Sequence, residues 1–242
     1  MSGHSHWSTI KRKKGLADAK RGQMFSKMAK LITMAAREGG GSPDTNAPLR
    51  LAIEKAKGVN FPKENIERAI KRGTGELEGV HLEEILFEAY GPGGIALIIE
   101  GITDNKNRAL GEVKQILAKH NGKLVKEGSV RWLFERKGVI TVDWEKEELK
   151  NKEDLELKVI EAGAEDIHWQ ENSLDIYTSL HKLEEVKENL EKRNIKIESA
   201  SLDWVAKKIV EVNKKEQELA EKLFEALDES DSVQEIYSNI KL

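Results

Sequence analysis

The chain has 242 residues, of which 38% are hydrophobic, 5% aromatic and 34% charged. That apolar share is below the roughly 45–50% of ordinary globular chains, so it argues against one large core and for several small, highly charged lobes. Cysteine is absent, which excludes disulfides, thiol catalysis and Cys-based zinc or iron–sulfur sites. No run of ~18 apolar residues occurs, and the polar-then-basic N-terminus lacks the apolar region of a secretion signal, so a cytoplasmic location is expected.

The net charge of −3 conceals an asymmetry. Residues 1–75 hold 16 Lys/Arg and 6 Asp/Glu, a balance of +10, and the remainder of the chain is at −13. A second basic stretch, from Asp104 to Lys137, stands at +5. A basic end on an otherwise acidic protein reads as a polyanion-binding end, because the acidic lobes repel phosphate.

Residues 1–20 lack an apolar period and read as a loosely ordered arm carrying Trp7, Lys11, Arg12, Lys13, Lys14 and Lys20. Met24, Met28, Leu31, Ile32 and Ala35 then mark a helix over 23–37, ended by Gly39-Gly40-Gly41. Asn46 is the predicted N-cap of a second helix, with Pro48 in its first turn. A third starts at Phe61-Pro62, with Ile66, Ala69 and Ile70 inward, Lys71 and Arg72 in its last turn and Gly73 as its C′ residue. Residues 73–79 form a polar linker.

The pattern then changes. Residues 85–90 and 95–100 read as strands around the Gly91-Pro92-Gly93-Gly94 turn. Asp104 or Asn105 caps a helix reaching about His120. Residues 130–134 and 139–142 read as two strands separated by Gly138. Beyond them come a helix over 155–162, a hairpin of 166–169 and 173–178, a helix over 183–192, and a strand over 196–205 trailing toward Val212. A helix over 216–227 and a strand over 233–237 close the chain. This is an α+β arrangement of two lobes behind a small helical domain.

The basic arm carries the clearest chemistry. Lys11, Arg12, Lys13, Lys14, Lys20 and Arg21 are candidates for phosphate neutralisation, and a helical continuation to Lys27 would extend the cluster. Trp7 is suited to stacking on unpaired bases. Lys71 and Arg72 on the third helix, and Lys106 and Arg108 beyond the linker, are second-tier contacts. The third helix has few residues suited to reading base edges beyond Asn65 and Arg68. Gly91–Gly94 precedes a strand and lacks a following Gly-Lys-Ser/Thr, so it reads as a turn and not a phosphate loop. His4-x-His6 is the one close histidine pair, and its N-terminal placement suggests adventitious metal binding only. Carboxylate pairs such as Glu83/Glu84 and Glu147/Glu148 read as solvated charge, and no nucleophile elbow stands out. No cofactor, small-molecule substrate or membrane partner is expected.

A set of short motifs adds a resemblance. Ser2-Gly3-His4-Ser5-x-Trp7, Ala17-Asp18-Ala19-Lys20-Arg21-Gly22, Ala35-Ala36-Arg37-Glu38-Gly39-Gly40, Asn65-Ile66-Glu67-Arg68-Ala69-Ile70, Glu88-Ala89-Tyr90-Gly91-Pro92-Gly93-Gly94 and Val233-Gln234-x-Ile236-Tyr237-Ser238-Asn239 resemble the YebC/PmpR family over almost the whole chain. His6, where the family often has Lys or Arg, is a minor departure. The resemblance implies an N-terminal three-helix domain (1–78), a middle α+β domain of ferredoxin-like type (79–137 plus 208–242) and a third such domain inserted in it (138–207). It also implies a non-enzymatic, cytoplasmic role in gene expression. Members are commonly described as DNA-binding transcriptional regulators; others resemble translational activators that act on ribosomes. Duplex DNA and ribosomal RNA both stand as expected partners, beside an adaptor role in which the acidic lobes hold a basic protein.

Overall fold

The computed structural model describes residues 5–6, 18–144, 151–170 and 172–240. These form two compact units. One comprises Ser5–Arg131 with Val210–Ile240, and the other Trp132–Ile209.

The first unit begins with β1 (Ser5–His6) and three helices, α1 (Asp18–Gly39), α2 (Ala47–Gly58) and α3 (Lys63–Gly73). Met28, Ile32, Leu49, Ala52, Ala56, Phe61, Ile66 and Ala69 meet in one apolar cluster, each set recurring at helical spacing. Phe25 and Phe61 pack edge to face at 5.2 Å. Asn46 serves two helices at once. Its Oδ1 accepts from the Leu49 N–H at 3.0 Å and caps α2, while its Nδ2 donates to the Ala35 and Gly40 carbonyls, each at 2.8 Å, at the end of α1.

The glycines after α3 divide their roles differently from the sequence reading. Gly73 is the last helical residue, with Thr74 as C-cap. The left-handed backbone falls at Gly75, with φ of 83°. Gly73 is required instead by packing, since a Cβ there would stand 2.4 Å from the Thr33 carbonyl of α1.

The same unit contains β2 (Glu83–Tyr90), β3 (Ala96–Thr103), α4 (Lys106–Lys119), β4 (Lys123–Val125), α7 (Lys214–Asp228) and β9 (Val233–Ser238), with α5, α6 and β5–β8 lying between in sequence. The sheet is antiparallel throughout, in the order β1-β9-β3-β2-β4. Ala89, Leu97, Ile99 and Ile236 form an apolar face covered by Val113 and Leu117 of α4 and Leu223, Phe224 and Leu227 of α7. On the other face Leu31 and Met34 of α1 pack against Leu82 and Ile102. Central β3 is therefore buried on both sides, which is why its first half, Ala96–Ile99, is an unbroken apolar run. Asn105 is the N-cap of α4, its Oδ1 accepting from Arg108 N–H at 3.0 Å. Strand β4 escapes the sequence reading because it is three residues long and half exposed.

The second unit runs β5 (Phe134–Asp143), α5 (Lys152–Glu161), β6 (Asp166–Trp169), β7 (Ser173–Thr178), α6 (Leu183–Lys192) and β8 (Ile197–Ala206). Its sheet order, β6-β7-β5-β8, with every pair antiparallel, is the ferredoxin-like βαββαβ arrangement. Ile140, Val142, Leu155, Val159, Ile176, Leu183, Val186 and Leu190 are buried in it.

Two expectations are corrected here. Residues 134–143 form one strand, in which Gly138 pairs with Thr178 on one side and Leu202 on the other. Gly138 marks a close approach and not a break: a Cβ there would lie 2.3 Å from the Thr178 hydroxyl. The strand after Lys196 ends at Ala206, and Val210 instead forms a parallel bridge with Ile240.

Candidate nucleic-acid interface

The basic N-terminal segment divides into cations that hold the first unit together and cations that face water. Lys27 is 7% exposed. Its ammonium donates to the Asp228 carbonyl at 2.6 Å and to its carboxylate at 3.2 Å. Lys30 donates to the carbonyl and carboxylate of Asp231 at 2.8 and 2.5 Å. Gln23 donates to the Glu229 carbonyl at 2.9 Å. The last turn of α7 contains no basic residue of its own, so side chains of α1 supply the donors and positive charge that its C-terminal end requires. Lys55 of α2 pairs with Glu235 of β9. Lys27, expected to extend the phosphate-binding cluster, is thus a packing residue.

Other cations are also committed. The Arg37 guanidinium donates to the Leu82 carbonyl at 2.6 Å, and Arg50 to the Pro43 carbonyl at 2.9 Å. Lys63 lies 3.8 Å from Glu67. In contrast, Arg68, Lys71 and Arg72 are exposed on α3 and meet no acidic partner among the described residues. Ile66 and Ala69 hold the opposite face of this helix in the core, which directs the three cations outward together. The first half of α3 carries Glu64 and Glu67.

The remaining predicted residues fall into three groups. Trp7, Lys11, Arg12, Lys13 and Lys14 lie outside the described residues, as do Glu147 and Glu148. Lys20 sits on the α1 backbone, and Arg21 is exposed one residue later. Lys106 and Arg108 are exposed but paired: Lys106 lies 2.9 Å from Glu83, and Arg108 pairs with Asp104. The hydrogen bond from Lys106 holds the Glu83 carboxyl below the usual carboxylate range.

One buried anion organises the loop after β4. Glu88 is 2% exposed and accepts backbone N–H bonds from Gly128 and Val130, each at 2.7 Å, and from Arg131 at 3.0 Å. The Arg131 guanidinium approaches to 3.5 Å. Burial raises the carboxyl's pKa, but the three amides and the guanidinium outweigh it and hold the value below the ordinary range.

The sequence reading missed an outward set of lysines at the Gly91–Gly94 end of the sheet. Lys119, Lys123, Lys214 and Lys215 are exposed there without an acidic partner among the described residues. Lys214 and Lys215 open α7, where positive charge opposes the helix dipole; that placement is the signal that could have singled them out. Among the described residues there is no cluster of three His, Cys, Asp or Glu able to hold a metal. No described helix is long and apolar enough to cross a membrane.

The fold and these surfaces define a class: a helical module built onto an antiparallel sheet, carrying outward cations, together with a ferredoxin-like unit. Two family models match the chain, the TACO1/YebC N-terminal domain over residues 5–76 and the TACO1/YebC second and third domain over residues 82–240. The chain belongs to the TACO1/YebC family. It is 50% identical to a "Probable transcriptional regulatory protein" of Pseudothermotoga lettingae, over 100% of this chain and 94% of that one. It is 52% identical to a protein of the same description from Persephonella marina, over 100% and 96%. A crystal structure of a conserved hypothetical protein from Aquifex aeolicus is similar at a TM-score of 0.85 and 45% identity, covering 93% of this chain and 91% of that one.

Proposed function

We propose that this chain is a non-enzymatic regulator of gene expression that binds nucleic acid through the phosphates, using the basic arm and helical module. The observation that carries the reading is the outward group of Arg68, Lys71 and Arg72, left unpaired on a module whose other cations are largely committed to its own structure. Lys11–Lys14, Lys20 and Arg21 would add to it, with Trp7 stacking on a base. The curated relatives' description as probable transcriptional regulatory proteins agrees with this class. The reading keeps the three-domain division at 1–78, 79–137 plus 208–242, and 138–207, and a cytoplasmic location.

Duplex DNA is the first partner to test. A ribosomal RNA partner has one specific observation in its favour. The N-terminal residues of a recognition helix usually meet base edges, but those of α3 include Glu64 and Glu67, which phosphates repel. Backbone and stacking contacts suit a folded RNA better.

The test is a competition at physiological salt between duplex DNA and intact ribosomes at equal phosphate concentration. Deleting residues 1–22 removes six cations, so on DNA the slope of log affinity against log salt should fall by about 5. The triple variant R68E/K71E/R72E should weaken binding further. Capture by ribosomes, lost with the deletion, assigns a translational role; capture by DNA with sequence preference assigns transcriptional control. Unchanged binding in both variants would sink the reading.

A further inference from the structure

The ferredoxin-like unit carries apolar side chains on two sides of α5. Leu155 and Val159 are buried inside the unit. Leu157 and Ile160 point the other way and are 60% and 59% exposed. Three residues apart on a helix, they are surface neighbours and form one apolar ridge. A single exposed leucine would call for no account, but two adjoining ones left mostly in water are not placed there by the packing of the unit itself.

Carboxylates frame the ridge. Glu153 and Asp154 precede Leu157 by four and three residues, and Glu161 follows it by four, so all three border the same face. They are exposed and meet no cation among the described residues. Glu153 and Asp154 open the helix, where its dipole favours acids. Glu161 closes it, where the dipole favours cations, so the helix itself gains nothing from this carboxylate. The Arg193 guanidinium of α6 donates to the Glu161 carbonyl at 3.4 Å and does not pair with its carboxylate. Two further charges of α5 are held inside the unit. Trp169 Nε1 donates to Glu156 at 2.5 Å, and the Lys152 ammonium lies 4.3 Å from the centre of the Trp169 ring.

We propose that this face of α5 docks a lysine- or arginine-rich amphipathic helix of another protein. The ridge takes the partner's apolar stripe, and the three carboxylates meet cations beside that stripe, as flanking charges do in paired helices. Charge selects the occupant. Residues 132–209 hold 13 Lys/Arg and 19 Asp/Glu, a balance of −6, which repels the phosphates of a nucleic acid. A second copy of this chain would set its own Glu153, Asp154 and Glu161 against the same three residues, and like charges disfavour that pairing. Lysines already laid on ribosomal RNA are neutralised there, so the surface suits a helix free of nucleic acid. The ten residues of α5 span about 15 Å, room for roughly three turns of a partner helix. This surface goes beyond the nucleic-acid reading and does not depend on it.

The test uses the full chain and a fluorescent peptide of about 21 residues, long enough to be helical alone, with leucines along one helical stripe and lysines beside it. A peptide of the same composition in scrambled order controls for charge alone. The striped peptide should bind saturably and more weakly as salt rises, and the scrambled one about tenfold less tightly. L157S/I160S should weaken binding of the striped peptide about tenfold. E153Q/D154N/E161Q should weaken it about tenfold at low salt and flatten its salt dependence. E78Q/E211Q/E218Q, which neutralises three exposed carboxylates of the first unit, should change it less than about twofold. Circular dichroism and thermal melting check that every variant is folded. No saturable binding by the wild type, equal binding of the two peptides, equal losses in the two charge variants, or no loss in L157S/I160S overturns the proposal. So does a dimer in sedimentation that L157S/I160S returns to monomer, because a second copy would then fill the face. DNA and ribosome binding by L157S/I160S should stay at the wild-type level, so this surface and the nucleic-acid reading stand or fall separately.

Discussion

A single side chain can decide the geometry of a loop, and Glu88 does so here. Three backbone amides and one guanidinium converge on a carboxylate that water barely reaches. Glu88→Gln keeps the volume but turns an amide NH2 donor toward backbone N–H donors and removes the charge, so urea denaturation should show a loss of about 3 kcal/mol at neutral pH. The sign of the pH dependence follows from the lowered carboxyl. Its folded value lies below the ordinary 4.5, so the contribution is fully present above that pH and is lost as pH falls through the folded value. The difference between wild type and Glu88→Gln should therefore be constant from neutral pH down to about 5 and shrink in more acid solution. A difference that grows on acidification would contradict this account.

At the scale of elements, the docking of α1 on the end of α7 joins the helical module to the sheet. Lys27 is buried between a helix-terminal carbonyl and a carboxylate, whereas the Lys30–Asp231 pair is partly solvated, its two side chains 19% and 55% exposed. Lys27→Ala should cost about 2–3 kcal/mol in thermal or urea unfolding, because the Asp228 groups lose their buried donor. Lys30→Ala should cost no more than about 1 kcal/mol, as solvent screens that pair. Equal costs would mean that the ion pairs are incidental to apolar packing. Burial raises the Asp231 carboxyl, but the hydrogen bonds from Lys30 and Ser26 outweigh it and leave the value lowered. This contact therefore also weakens as pH falls through the acid range.

Over the whole molecule, charge and architecture separate together. Residues 132–209 hold 13 Lys/Arg and 19 Asp/Glu, a balance of −6 on a unit with a complete βαββαβ sheet and its own buried core. Residues 1–75 stand at +10. We expect a fragment spanning 132–209 to unfold cooperatively alone, as a unit with its own sheet and core should, and to bind neither DNA nor ribosomes. A fragment without a cooperative transition would show that this unit draws stability from the rest of the chain.

Much of this was legible in the residues. Period and caps placed the helices: the apolar stripe from Met24 to Ala35, Asn46 before α2, Asn105 before α4. The apolar run from Ile95 to Ile99 placed β3, and the motif set identified the family. Such features are local, so each is written in a few neighbouring residues. What the sequence could not decide was which partners distant residues find. Lys27 and Lys11 look alike in a basic segment, yet Lys27 meets Asp228, 201 residues away. Gly138 looks like a break, but it is a glycine because Thr178 crowds it across the sheet. Gly73 looks like a cap, but α1 demands it. Lys106 and Arg108 looked available, but Glu83 and Asp104 hold them. Local patterns determined the elements and the total charge. Tertiary contacts decided which charges are neutralised within the protein and which remain for a partner, because charge pairing depends on distance in space and not along the chain.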